Sequence, residues 1–258
     1  MGAGHLVPLT VPGPSPVHAA PPQVKVAAAL LFVVAVVCTP RQAVWAFGVH
    51  AALLAAVAVL ARVPARALLP RLVIEVPFLA FALFLPFIAR GERVEVLGLV
   101  SVSVDGSWAA WNILVKGLLG LTASLLLVAT TSADDLLRGL EKLGVPSVIT
   151  AIAGSMLRYL GVIDGQMRRM QVARISRGHD PRWFWQARAV ASTIGALFVR
   201  TFERGERVHL AMVSRGYTGS MPTIRPLPPA TAAGWAAALA VPAIASLAAA
   251  SAAAGWPT

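Results

Sequence analysis

The stretch that decides the fold reads AWNILVKGLLGLTASLLLVATT and covers residues 110–131. It holds a single charged side chain, that of Lys116. An α-helix needs about 20 largely apolar residues to cross the hydrocarbon core of a bilayer. Residues 110–131 are therefore predicted to form a transmembrane helix, in which Lys116 lies close enough to one end to reach the interface.

Three further stretches are apolar over a comparable length. Residues 43–61 and 232–251 are uninterrupted, and residues 24–39 form a shorter run that takes Gln23 and Lys25 as its interfacial edge. Each is predicted to cross the membrane as a helix.

A fifth predicted span, residues 72–89, contains Glu75 near its start and Pro77 and Pro86 inside it. Proline lacks the backbone N–H and its ring clashes with the preceding turn, so this span is predicted to be kinked. Glu75 is expected to reach the inner face or to pair near Arg71, in preference to a role in transport.

The composition of the whole chain points the same way. Of its 258 residues, 57% are apolar and 13% are charged, and the mean hydropathy is +0.74. Soluble domains carry about a quarter charged residues, so an ordinary soluble enzyme, a disordered chain and a disulfide-framed secreted module are excluded. The one cysteine, Cys38, cannot form an internal disulfide and argues against a cysteine-based zinc or iron–sulfur site. The chain is predicted to be an all-α integral membrane protein.

The basic residues set the predicted orientation. Residues 132–228 hold 14 of the 22 Lys and Arg residues and, by the positive-inside rule, should be cytoplasmic. The short loops support the same orientation. If residues 132–228 are cytoplasmic, the short basic loop with Arg62, Arg66 and Arg71 also lies on the cytoplasmic side. Both termini follow: the N-terminus inside and the C-terminus outside. The predicted parts are an extended tail (1–23), transmembrane helices one to four (24–131), a cytoplasmic helical domain (132–228) and a last transmembrane helix (229–258).

The cytoplasmic domain is predicted to begin with a short amphipathic helix. Ser132 and Asp135 have the spacing of a capping box, and Gly144 with Pro146 supplies a stop.

Two long helices should follow. The first runs from near Pro146 to about Arg177, with Gly178 at its C′ position. The second covers about residues 187–214 and ends at Gly216. Glu203 and Arg207 are spaced to pair along one of its faces.

The ends of these two helices repeat the pattern A-x-x-S-R-G, at residues 173–178 and 211–216, 38 residues apart. One interpretation is two ordinary helix ends, where a cation and a following glycine are both favoured. The other is that each helix presents a fixed guanidinium to the same kind of acceptor, since arginine offers a rigid donor fork to a carboxylate.

Several motifs carry a family resemblance. The run MLRYL at residues 156–160, then RM at 169–170, AR at 173–174 and SRG at 176–178, resembles the T component of energy-coupling factor (ECF) transporters. SRG at residues 214–216 falls where that family has its second such motif. SPVH at residues 15–18 and PQVK at residues 22–25 are similar to the N-terminal segment of its cobalt-type member, CbiQ. The resemblance covers nearly the whole chain from Ser15 to about Gly219.

The resemblance implies the role of a scaffold in a cobalt importer. In that family the T component joins two ATP-binding-cassette (ABC) ATPases to a substrate-binding membrane subunit, and its paired arginines dock into grooves on the ATPases. The matching arginines are Arg177 and Arg215. The residues that would shape the two helix ends are Ala173, Ser176, Gly178, Ala211, Ser214 and Gly216. The resemblance implies no catalytic residue and no cofactor on this chain.

The sequence lacks the motifs of an ATP-binding site or a metal site. No G-x-x-x-x-G-K-[ST] run is present, so ATP binding through a P-loop is not expected. No metal site is expected either, because the five histidines lack ligand spacing: His5, His18, His50, His179 and His209. The cluster Trp183, Phe184 and Trp185 is expected to anchor at the headgroup level, with contact to the substrate subunit as the alternative.

Other functions stay open at this stage. One is an intramembrane lipid-modifying enzyme with a basic cytoplasmic domain, although Glu75 is nearly the only candidate catalytic group at membrane depth. Another is a standalone channel or carrier, although the spans lack polar residues for a midplane path. An ECF T component for nickel or a vitamin is the third, because in that family the other membrane subunit selects the substrate.

Overall fold

The computed structural model describes residue 13 and residues 15–89, 93–96, 100–178, 187–219 and 228–254. The chain divides into two compact units, Met1–Leu143 with Leu227–Thr258, and Gly144–Pro226. In the first unit the helices are α1 (Pro16–Ala19), α2 (Pro22–Cys38), α3 (Val44–Leu60), α4 (Ala65–Leu68), α5 (Val76–Ile88), α6 (Val104–Thr130), α7 (Ala133–Lys142) and α10 (Ala232–Ala254). The second unit contains α8 (Ser147–Ser176) and α9 (Ala187–Val213).

The core of the first unit lies where α2, α3, α6 and α10 meet. Phe32 of α2, Phe47 and Leu54 of α3 and Leu126 of α6 are buried in it. Helix α10 contributes small side chains, among them Ala245, and packs chiefly against α2. Small residues let helix backbones approach closely, which is the usual basis of helix packing in membranes.

Helix α7 begins with the predicted capping box. The Ser132 Oγ atom accepts a hydrogen bond of 3.2 Å from the Asp135 backbone N–H and donates one of 2.7 Å to Asp135 Oδ2. The capping prediction is confirmed, and α7 packs against α2 in the first unit. At Gly139 of α7, an added Cβ would lie 3.0 Å from the Gln23 backbone nitrogen, so the two helices are in close contact.

The kink predicted for residues 72–89 is confirmed. A 3-10 segment, Leu69–Glu75, leads into α5, and the helical segments Arg66–Val73 and Val76–Ile88 meet at 57°. The break comes just before Pro77, which occupies the first turn of α5, where its missing N–H costs nothing.

The prediction of an all-α fold class is confirmed, and the structure adds one short β-ribbon to it. Two strands that were not predicted, β1 (Arg93–Val96) and β2 (Val100–Ser103), pair in antiparallel fashion between α5 and α6. Arg93 lies opposite Ser103 and Val96 opposite Val100. The valines alternate with polar residues in both strands, RVEV and VSVS, which is the period-two pattern typical of a β-strand.

The second unit contains the two long helices that the sequence predicts. Helix α8 follows Pro146 as N-cap and ends at Ser176, and α9 ends at Val213. The predicted pair on α9 is present, with Arg207 Nη1 3.9 Å from Glu203 Oε2.

The predicted count of five spans is not confirmed. In the part of the chain that the structure describes, three helices are long and apolar enough to cross a membrane, and the bent pair ending in α5 would make a fourth. The three are α6, α8 and α10. Helices α2 and α3 are apolar, but each has 17 residues. Helix α8 is thus long and apolar enough to span a membrane, although the sequence analysis predicts it to lie in the cytoplasmic domain.

Candidate functional site

The end of α8 places Arg177 at the C-cap. Its backbone N–H donates to the Arg174 carbonyl at 3.0 Å, and the Gly178 N–H donates to the Ile175 carbonyl at 3.0 Å. Gly178 has φ +82°, a left-handed conformation that glycine adopts without the steric cost of a Cβ atom. The predicted C′ glycine is confirmed, and the helix stops directly after the arginine.

The end of α9 has the same geometry. The Arg215 N–H donates to the Met212 carbonyl and the Gly216 N–H to the Val213 carbonyl, both at 3.0 Å. Gly216 has φ +84°, and the Tyr217 N–H donates to Met212 at 3.0 Å. These bonds form a Schellman motif, in which the residues after the helix close its last carbonyls.

The serines of the two motifs bond inward. Ser176 Oγ donates to the Val172 carbonyl at 3.1 Å, and Ser214 Oγ donates to the Ala211 carbonyl at 3.0 Å. Each hydroxyl therefore bonds to a carbonyl of its own helix, and the role of the two serines in shaping the helix ends stays a prediction. Ala173 and Ala211 lie one helical turn before Arg177 and Arg215, respectively. Both alanines are exposed, and their small side chains leave space beside the arginines.

Both predicted arginines are exposed, and within the described residues neither has an ion-pair partner. Other arginines of the same helices behave differently. Arg168 Nε lies 2.8 Å from Asp164 Oδ2 on α8, and Arg207 pairs with Glu203 on α9. The motif arginines are thus unpaired within the described part of the chain, and a guanidinium group can bind a carboxylate or another anion in bidentate fashion.

The structure does not join the two motifs to each other. No hydrogen bond or ion pair between described residues links Arg177 with Arg215. Each motif is a separate contact point at the end of its own helix.

Sequence reasoning missed a second feature of this unit. Arg174, Arg200 and Arg204 line a cleft between α8 and α9 together with Arg177. The sequence shows that these residues are basic, but only the pairing of the two helices brings them to one cavity. Their three- and four-residue spacing on each helix was the available signal.

The other candidate groups do not assemble into a site. Among the described residues, no group of three His, Cys, Asp or Glu side chains could hold a metal ion. His50 is fully buried among Phe32 and Phe47, and both its ring nitrogens lack a partner within the described part. His5, His179, Trp183, Phe184 and Trp185 lie outside the described residues. The Glu75 carboxylate lies directly beside Gly117 of α6, where the glycine leaves room for it.

Comparison with known proteins gives consistent relatives. The family described as "CbiQ: Cobalt transport protein" matches residues 13–224. An uncharacterized protein of Methanocaldococcus jannaschii is 27% identical over 64% of this chain and 59% of its own length. The energy-coupling factor transporter transmembrane protein EcfT of Thermanaerovibrio acidaminovorans is 30% identical over 84% of this chain and 85% of its own. The cobalt transport protein CbiQ of Rhodobacter capsulatus is 32% identical over 41% of this chain and 43% of its own. The chain thus spans less than two thirds of the first and third of these relatives.

Proposed function

This chain belongs to the CbiQ cobalt transport protein family, and we propose that it is the transmembrane coupling subunit of an ECF-type importer for cobalt ions. It links ATP hydrolysis by two ABC-type ATPase subunits to a substrate-binding membrane subunit. It is not itself an enzyme and uses no cofactor. The names EcfT and CbiQ among its relatives support this role.

The observation that carries the proposal is the repeated helix end. Two helices of one compact unit end with the same backbone hydrogen bonds, and each presents an exposed arginine that has no carboxylate partner among the described residues. The hydrogen-bonded cap fixes the backbone from which each arginine extends, so a force on a bound arginine would be transmitted to its helix. Arg177 and Arg215 are the proposed ATPase contacts, and the rest of the two motifs shapes the helix ends.

The transmembrane part is a multi-pass helical bundle, and its five-span topology belongs to the proposal. Helices α2 and α3 have 17 residues each, the lower limit of the usual range for a transmembrane helix. Together with the bent pair, α6 and α10 they would give five spans with the N-terminus inside. We propose that α8 lies on the cytoplasmic side despite its apolar first half, because its second half carries Arg168, Arg169 and Arg174.

Reconstitution tests the proposal. Proteoliposomes that hold the chain with its ATPase and substrate-binding subunits should take up radioactive Co²⁺ when ATP is present on the side of the ATPases. Proteoliposomes with the chain alone should take up none. Uptake by the chain alone would show a standalone carrier and would contradict the proposal. Uptake of nickel or a vitamin in place of cobalt would keep the coupling role and change the substrate.

A further inference from the structure

A cleft of about 590 Å³ lies between α8 and α9 inside the second unit. Five of its lining side chains are arginines: Arg169, Arg174 and Arg177 of α8, and Arg200 and Arg204 of α9. None of the described residues that line it is acidic. The cleft therefore gathers five positive charges, and the described part of its wall supplies no compensating carboxylate.

Two of these guanidinium groups have donor atoms without a partner. Nε and Nη1 of Arg174 and Nη1 of Arg204 are buried and form no hydrogen bond to any described residue. The Nη2 atom of Arg204 donates to Gln166 Oε1 at 3.4 Å, a long bond. A buried charged donor without a partner is costly, so these atoms call for an anion in the cleft.

The arrangement is particular to the cleft and is not a general property of the two helices. Outside it, Arg168 and Arg207 are exposed and paired with Asp164 and Glu203, respectively. Two arginines outside the cleft therefore have carboxylate partners on their own helix, whereas none of the five in the cleft has an ion-pair partner among the described residues.

We propose that this cleft is a binding site for a phosphate group. A phosphate monoester carries about two negative charges and three acceptor oxygens, and it suits several guanidinium forks at once. A single carboxylate, with one charge and two oxygens, would leave most of the donors unused. The phosphate comes either from an anionic phospholipid headgroup or from a free phosphate compound. The proposal goes beyond the transport role and does not depend on it.

Titration calorimetry on the full chain in a neutral detergent tests the site with inorganic phosphate as the probe. Binding should saturate at one phosphate per chain. The double variant Arg174→Gln with Arg204→Gln should weaken it by about tenfold or more, because two charge-assisted contacts are lost. The matched control, Arg168→Gln with Arg207→Gln, removes the same charge from the same helices outside the cleft and should stay within about twofold of the wild type.

A second pair guards against a folding defect. Arg169→Gln with Arg200→Gln changes only exposed side chains of the lining and should also weaken binding, while circular dichroism shows unchanged helix content. Nanodiscs with phosphatidic acid form the second arm. If the chain binds phosphatidic acid saturably but does not bind inorganic phosphate, the ligand is the lipid headgroup. If it binds both, the site also accepts free phosphate.

Three results would overturn the proposal. One is the absence of saturable binding in both arms. Another is equal weakening by the cleft variants and the control pair, which would show unspecific attraction to positive charge. The third is tighter binding of a hexaglutamate peptide than of either phosphate probe, which would make the cleft a docking site for an acidic protein segment.

Discussion

Arg177 and Arg215 occupy the same position in two helix ends. The N–H of each donates to the carbonyl three residues earlier, and each precedes a glycine with positive φ, +82° at Gly178 and +84° at Gly216. The two sites lie 38 residues apart in the sequence. Two helices that end in the same way could place their arginines against two similar acceptors, as the proposed contact with two ATPase subunits requires.

The glycines after these arginines should be sensitive to substitution. Gly178→Ala and Gly216→Ala place a Cβ on a left-handed residue, at a cost of about 1–2 kcal/mol, although no atom lies within 4 Å of that Cβ. We expect amide hydrogen exchange over residues 210–217 to become about fivefold faster in Gly216→Ala.

The matched control for the cap glycines is Gly205→Ala. Gly205 lies inside α9, and its Cβ would also meet nothing within 4 Å. Alanine is favoured over glycine by about 1 kcal/mol in a helix interior, so exchange should slow or stay the same. Unchanged exchange at residues 210–217 in Gly216→Ala would show that the left-handed cap does not hold the helix end.

Gly106 is predicted to fix the approach of α5 to α6. A Cβ at this position would lie 2.7 Å from the Leu85 carbonyl oxygen and 2.9 Å from the Pro86 Cα, and both are backbone atoms that cannot rotate away. Gly106→Leu should therefore lower the free energy of unfolding by about 1–3 kcal/mol, measured as a lower thermal midpoint in detergent.

Gly120→Leu is the comparison for Gly106. It lies on the same helix, and an added Cβ there meets no atom within 4 Å. This variant should keep the wild-type thermal midpoint. Equal losses in both variants would mean that α6 rejects any larger side chain, and the close contact with α5 would then have no special importance.

The orientation of the chain can be tested by labelling single cysteines. In a Cys38→Ser background, Ser176→Cys and Ser214→Cys place a thiol in each motif at an exposed position. A membrane-impermeant maleimide should label both in inside-out vesicles and neither in intact cells, because the positive-inside rule puts residues 132–228 in the cytoplasm. Labelling of intact cells at either position would reverse the proposed topology.

Much of the fold follows from local signals in the sequence. Ser132 and Asp135 predict the start of α7. Pro146 and Gly178 predict the two ends of α8 to within one residue. Both predictions succeed because helix caps depend on the chemistry of a few neighbouring side chains. The ribbon of β1 and β2 was missed because its strands have only four residues each. The number of spans stays a prediction, since 17-residue helices such as α2 and α3 fall at the limit of what crosses a bilayer.

The candidate site could also be predicted only in part from the sequence. The positions of Arg177 and Arg215 at helix ends could be predicted, because glycine and arginine have strong preferences there. The arginine cleft could not, because it depends on which face of α8 meets which face of α9. Arg174 and Arg204 are 30 residues apart, and no local pattern states that their side chains share a cavity.

The central claim is that Arg177 and Arg215 hold the ATPases, and a pull-down tests it most directly. The full complex is solubilised from cells expressing the double variant Arg177→Glu with Arg215→Glu, and the ATPase recovered per chain is measured. The control is Arg168→Glu with Arg207→Glu, which reverses two charges on the same helices away from the motifs. The account predicts that ATPase recovery falls at least about tenfold in the motif variant and stays near wild type in the control. Stoichiometric ATPase on the motif variant would contradict it.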